Sequence, residues 1–66
     1  MKISYDPEAD VMNIELAKGK YDVSREISKS IIVDEDKNGK VLAIEILDAS
    51  VNIPAFDPKK LSVQTS

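Results

Sequence analysis

The chain contains no cysteine and no histidine. Without cysteine, no disulfide can staple the fold, although chains of this size often need such help. Cys/His zinc sites, Cys–His nucleophiles and Ser-His-Asp triads are excluded as well. Gly19 and Gly39 are the only glycines, too few for a loop that cradles phosphate. No apolar run approaches the roughly 20 residues of a membrane span, so no membrane partner is expected. Met1-Lys2-Ile3-Ser4-Tyr5 turns polar and acidic at once, unlike the apolar core of a signal peptide. Absence of cysteine also suits the cytosol, and the expectation is a complete cytoplasmic protein.

Positive charge is scarce too. Lys+Arg number 9 against Asp+Glu 12, for a net charge of −3. Nucleic-acid binders draw affinity from clustered lysine and arginine. Here Lys18, Lys20, Arg25 and Lys29 are interspersed with Asp22 and Glu26, and Tyr21 is the one aromatic among them, too little for a base-stacking surface. They read as a solvated face, and nucleic acid is not an expected partner.

What is present is ordinary for a globular protein: 42% hydrophobic and 32% charged residues, which excludes a disordered tail. Sixty-six residues make one domain, residues 1–66, that buries only about 60% of its unfolded surface. Period-two alternation marks strands at about 1–5 and 11–16, joined across Asp6-Pro7-Glu8-Ala9-Asp10. Lys18-Gly19-Lys20 breaks the second strand. Over 21–28, Val23 and Ile27 have helical spacing, but the common parity of Val23, Arg25 and Ile27 favours an extended arm. Ser30-Ile31-Ile32-Val33, with three β-branched residues, lies in a strand at about 29–35, and a further strand spans about 40–47.

That last strand is apolar on both faces: Leu42, Ile44 and Ile46 on one, Val41, Ala43 and Leu47 on the other beside a lone Glu45. A strand wet on one face would alternate more cleanly. It is therefore expected to be central, its second face covered by the C-terminal segment or by another subunit. Asp48 is expected to cap a short helix at about 49–53 with its carboxylate, stopped by Pro54. Asp57-Pro58 starts one more turn over Lys59-Lys60-Leu61, and 62–66 is a tail. The fold class is α+β: a small antiparallel four-stranded sheet, a meander of hairpins, followed by a short C-terminal helix.

The most conspicuous local pattern is Asp34-Glu35-Asp36-Lys37-Asn38-Gly39. With Glu45 it matches the calcium-loop spacing D-x-[DN]-x-[DN]-G-x5-E, and Asp34, Asp36, Asn38 and Glu45 are the candidate metal ligands. Calcium takes six to eight oxygens, but an EF-hand loop lies between helices, whereas strands flank this one. An extended chain puts Glu45 about 20 Å beyond Gly39, out of reach of Asp34 and Asp36. The plainer reading is a hairpin with a type I turn and a G1 bulge, with weak divalent-ion binding as an alternative. Asp6, Glu8 and Asp10 could supply a general acid–base pair but read as a solvated loop. Glu45 is expected to pair with a lysine or Arg25. No catalytic residue and no cofactor is expected.

Three stretches carry a family likeness: Tyr5-Asp6-Pro7-Glu8-Ala9-Asp10-Val11, Ile32-Val33-Asp34-Glu35-Asp36, and Gly39 through Ser50. In these the chain resembles the domain of unknown function 2283 family, departing at Ala43, where the family usually has glycine. The resemblance covers most of residues 1–50. It implies a small prokaryotic protein with an antiparallel sheet and a short helix after Asp48-Ala49-Ser50, and brings no activity or catalytic residue. Occasional neighbourhood to small toxin-like proteins implies an antitoxin or immunity role as one alternative. From the residues themselves, the expected function is a non-enzymatic interaction module, homodimeric through Val41, Ala43, Glu45 and Leu47. Another small protein is the alternative partner.

Overall fold

The computed structural model describes residues 1–60; Leu61 of the expected last turn and the 62–66 tail lie outside them. The alternating segments fold as strands. β1 (Lys2–Asp6) and β2 (Val11–Glu15) form the first hairpin, and β4 (Ile31–Glu35) and β5 (Val41–Ile46) form the second. Residues 23–28 are the point of difference. The extended arm is a full strand, β3 (Val23–Ser28), hydrogen-bonded to β4, so the antiparallel sheet has five strands rather than four. Every residue of β3 is exposed. Its mixed composition answers to a sheet edge rather than to a core, and for that reason its alternation is faint.

The strand order is β1-β2-β5-β4-β3, so the topology is not a simple meander. β5 is central, as its two-sided apolar pattern requires. The chain leaving β2 crosses the ends of β5 and β4 to reach the far edge. Leu16 N and Ala17 N both donate to Leu42 O, at 2.8 and 3.2 Å, and Asp22 N donates to Glu35 O at 2.9 Å. Gly19 passes so close that a Cβ there would lie 2.9 Å from Leu42 Cδ2. This crossing covers Leu42, the extra residue of a bulge where Glu35 pairs with Val41 and Asp34 with Ala43.

Directly opposed residues in antiparallel strands share a face. The register therefore sorts the sheet into two surfaces. One carries the rows Ile3–Ile14–Ile44–Val33 and Tyr5–Met12–Ile46–Ile31 across β1, β2, β5 and β4. The other carries Lys2–Glu15–Ala43–Asp34 and Ser4–Asn13–Glu45–Ile32. All extensive contacts between described elements join neighbouring strands. The described C-terminal segment touches the apolar face, where the Phe56 ring meets Tyr5 edge-on at 4.9 Å. The bulge also corrects the expected grouping, since Val41 opposes Glu35 while Ala43 opposes Asp34 on the other face, and the described C-terminal segment does not supply the expected cover for the Ala43 side of β5.

Helix α1 (Ala49–Asn52) follows β5, and a 3-10 turn spans Pro58–Lys60. Asp48 occupies the N-cap position, but its carboxylate makes no capping bond. Asp10 does that work from across the sheet end: its carboxylate accepts from Ser50 N at 3.0 Å and Ser50 Oγ at 2.7 Å. Asp48 has φ 48, left-handed rather than the extended conformation from which an N-cap side chain ordinarily bonds the helix start. Among the described residues, no helix is long and apolar enough to cross a membrane.

Candidate functional site

Asp36 shows why the acidic turn has its composition. Its Oδ1 accepts from Asn38 N at 2.8 Å and Lys40 N at 2.9 Å, and its carbonyl accepts from Gly39 N at 3.1 Å. Gly39 sits at φ 82, where a side chain is strained. This is the expected type I turn with a G1 bulge, and the Asp36 carboxylate is occupied in holding it. Asn38 is exposed at its tip.

Asp34 and Glu45 behave differently. Glu45 does lie far along β5 from Gly39, but β5 runs back beside β4. Because Asp34 pairs with Ala43, Glu45 is its diagonal neighbour on the same face, within side-chain reach. The expectation that Glu45 could not reach Asp34 is thus corrected by the register, and so is its pairing with a cation. Burial raises the Glu45 carboxyl above its ordinary 4.5, and the charge of Asp34 and a hydrogen bond with it add to the rise. Asp34 Oδ1 also accepts from Ser24 Oγ at 2.6 Å, and Ser24 Oγ lies 2.9 Å from the Tyr21 hydroxyl. Serine has one proton to give and gives it to Asp34, so Tyr21 is the donor to Ser24.

This line of polar groups borders a shallow cleft of about 740 Å³ whose lining includes Lys2, Glu15, Lys18, Tyr21 and Asp34. Among the described residues, no three carboxylates converge in a geometry that could hold a metal ion. The arrangement can share a proton between two carboxyls.

Arg25, read from sequence as solvent-facing charge, is tied down. Its Nε and Nη2 donate to Glu35 Oε2 at 3.0 and 2.5 Å. The Glu35 side chain is 8% exposed against 61% for Arg25, so the arginine shields a buried carboxylate. Asp10 likewise leaves the role of a solvated loop residue. Hydrogen bonds from Ser50 and then from Tyr5 hold its carboxyl below 3.8; the Tyr5 hydroxyl lies 2.7 Å from Oδ1. No local signal marks either partnership, because both are made by residues that pair only after the sheet has formed. Val41, Ala43, Glu45 and Leu47, the expected contact surface, are all half-buried, and their cross-strand neighbours include Asn13, Glu15 and Asp34.

The chain belongs to the family of proteins of unknown function described as DUF2283, whose model matches residues 2–50. No curated protein and no solved structure matches it.

Proposed function

We propose that this member of the DUF2283 family is a non-enzymatic interaction module that acts as a homodimer, two copies stacking the apolar faces of their sheets. The observation that carries the reading is an unfinished core. Among the described residues, Met12, Leu42 and Ala49 are the buried apolar ones, and no large side chain is fully buried. Ile3, Ile14, Ile31, Val33, Ile44 and Ile46 stay only half-buried on one contiguous face.

A second copy is the occupant whose size fits. The molecule measures 35 × 28 × 18 Å, and its broad face is wide enough for the ~800 Å² per partner of a standard interface. Sheet-on-sheet packing is the ordinary way for such a face to be covered. Burying the part of each aliphatic side chain that is still exposed contributes on the order of 0.5 kcal/mol, which together can offset the lower part of the ~4–15 kcal/mol cost of association. The contact surface thus shifts from the Ala43 and Glu45 side to the opposite face, which the bulge gives Val41 as well and which ends at β3 in the Arg25–Glu35 pair.

Sedimentation velocity at micromolar concentration tests the reading. The natural chain is expected as a dimer. Ile14→Thr with Val33→Thr keeps two β-branched shapes but adds hydroxyls to the face, and is expected as a monomer with an unchanged circular dichroism spectrum. A monomeric natural chain would sink the proposal.

A further inference from the structure

β1 has one neighbour, β2. Among the described residues, no backbone group bonds to its outer edge. An open edge is a template for another strand, and the question is which strand fits. Consider a second β1 arriving antiparallel about a twofold axis through Ser4, normal to the sheet. Ser4 then faces Ser4, Ile3 faces Tyr5, and Lys2 faces Asp6, each of the last two pairings occurring twice. All five residues of β1 are used. Ile3 and Tyr5 belong to the apolar face, so that face continues unbroken from one copy to the next. Lys2 and Asp6 belong to the other face, and opposite charges directly across a strand pair attract. Among the described residues Arg25–Glu35 is the one ion pair, so neither Lys2 nor Asp6 is in one there, although Glu15 of β2 stands opposite Lys2. Moving the axis to Ile3 or Tyr5 loses the Lys2–Asp6 match.

We propose that the outer edge of β1 recognises β1 of a second copy in this register, joining two sheets side by side into one of ten strands. The contact goes beyond the stacked dimer, from which it is geometrically independent. It is the weaker of the two, since a single strand pairing is marginal in water, and it links stacked dimers to one another as concentration rises.

The absence of native cysteine makes the test direct. Ser4→Cys places two thiols across the axis with Cα atoms about 4.5–5.5 Å apart, inside the ~4.4–6.8 Å window of a disulfide. Ser24→Cys on the other edge is the comparison. Ser4 is half-buried and Ser24 exposed, so random encounters favour Ser24→Cys, whereas the edge pairing favours Ser4→Cys. Under mild oxidation, with folding verified by circular dichroism, the Ser4→Cys chain is expected to form the intermolecular disulfide faster. Adding Lys2→Glu turns two attractions into repulsions and should slow it about tenfold. In the Ile14→Thr/Val33→Thr background the Ser4→Cys disulfide should still form, because the pairing does not use the stacked face; its loss there would make the cross-link a by-product of stacking and overturn the proposal. Equal or faster cross-linking at Ser24, or indifference to Lys2→Glu, would overturn it too.

Discussion

β1 and β3 are the two edges of one sheet, each with a single neighbour, and their sequences treat a visiting strand in opposite ways. β1 reads Lys-Ile-Ser-Tyr-Asp, with unlike charges placed symmetrically about Ser4. β3 reads Val-Ser-Arg-Glu-Ile-Ser, and its three central self-pairing registers set like charges against each other. An axis at Arg25 opposes two arginines, one at Glu26 two glutamates, and one at Ser24 brings Asp22 against Glu26. A bulge at Ile27 breaks the ladder further. Charges and bulges are the usual guards of an exposed edge, and β3 needs them, because Val23 and Ile27 are 42% and 57% exposed. Openness of an edge therefore does not by itself make an interface. The placement of charge along it does.

The contrast can be broken most severely at Arg25. Its bonds to Glu35 span β3 and β4, and removing them leaves a carboxylate that is 8% exposed without its partner. Arg25→Ala is expected to cost about 2 kcal/mol in a urea melt, less than a fully buried pair because the arginine itself is 61% exposed. The loss should appear as faster amide exchange in β3 while β1 keeps its protection. Equal loosening of both edges would mean that this pair does not hold β3 in particular. A milder change sharpens the comparison by making β3 resemble β1. With the axis at Ser24, Asp22→Lys turns the repulsion with Glu26 into an attraction. The Asp22→Lys/Ser24→Cys chain should then cross-link several-fold faster than Ser24→Cys alone. No gain would mean that charge placement is not what keeps this edge solitary.

Much of this arrangement was legible in the residues. The Asp36 to Gly39 turn and the two hairpins rest on local turn chemistry and period-two alternation. The central place of β5 follows from its apolar residues on both faces. β3 was harder to read because an edge exposed on all its residues has no buried face to impose alternation. The crossing from β2 to β3 hid the β2–β5 pairing, since nothing local in Leu16 to Asp22 names the strands it passes. Asp10 at the helix start and Glu45 beside Asp34 depend on contacts 40 and 11 positions apart, which no motif encodes. The calcium-like spacing grouped Glu45 with Asp34 and Asp36, and distance along an extended chain put it out of reach of both; the antiparallel register brings it back beside Asp34.

The Asp34–Glu45 pair offers the smallest effect and a control for both edges, because β5 is the central strand. The folded-state pKa of Glu45 is raised above 4.5 by burial and by Asp34. A raised carboxyl favours the fold while it is protonated, and that contribution is lost as pH rises through the raised value. Asp10 has the opposite sign. Its lowered pKa stabilises the fold above 3.8, and that contribution is lost as pH falls through the lowered value. The two groups thus act in separate windows, Asp10 on the acid side and Glu45 above it. Glu45→Gln keeps a donor for Asp34 while removing the repelling charge. Its melting temperature should decline less than that of the natural chain as pH rises from 4.5. At neutral pH the gain should be about 0.5 kcal/mol or less, since solvent screens a largely open pair. Cross-linking of Ser4→Cys in the Glu45→Gln chain should not change, because Lys2 and Asp6 keep their charges. Parallel pH profiles for the two chains would show that Glu45 and Asp34 do not share a proton, and a change in cross-linking would show that the centre of the sheet reaches its edge.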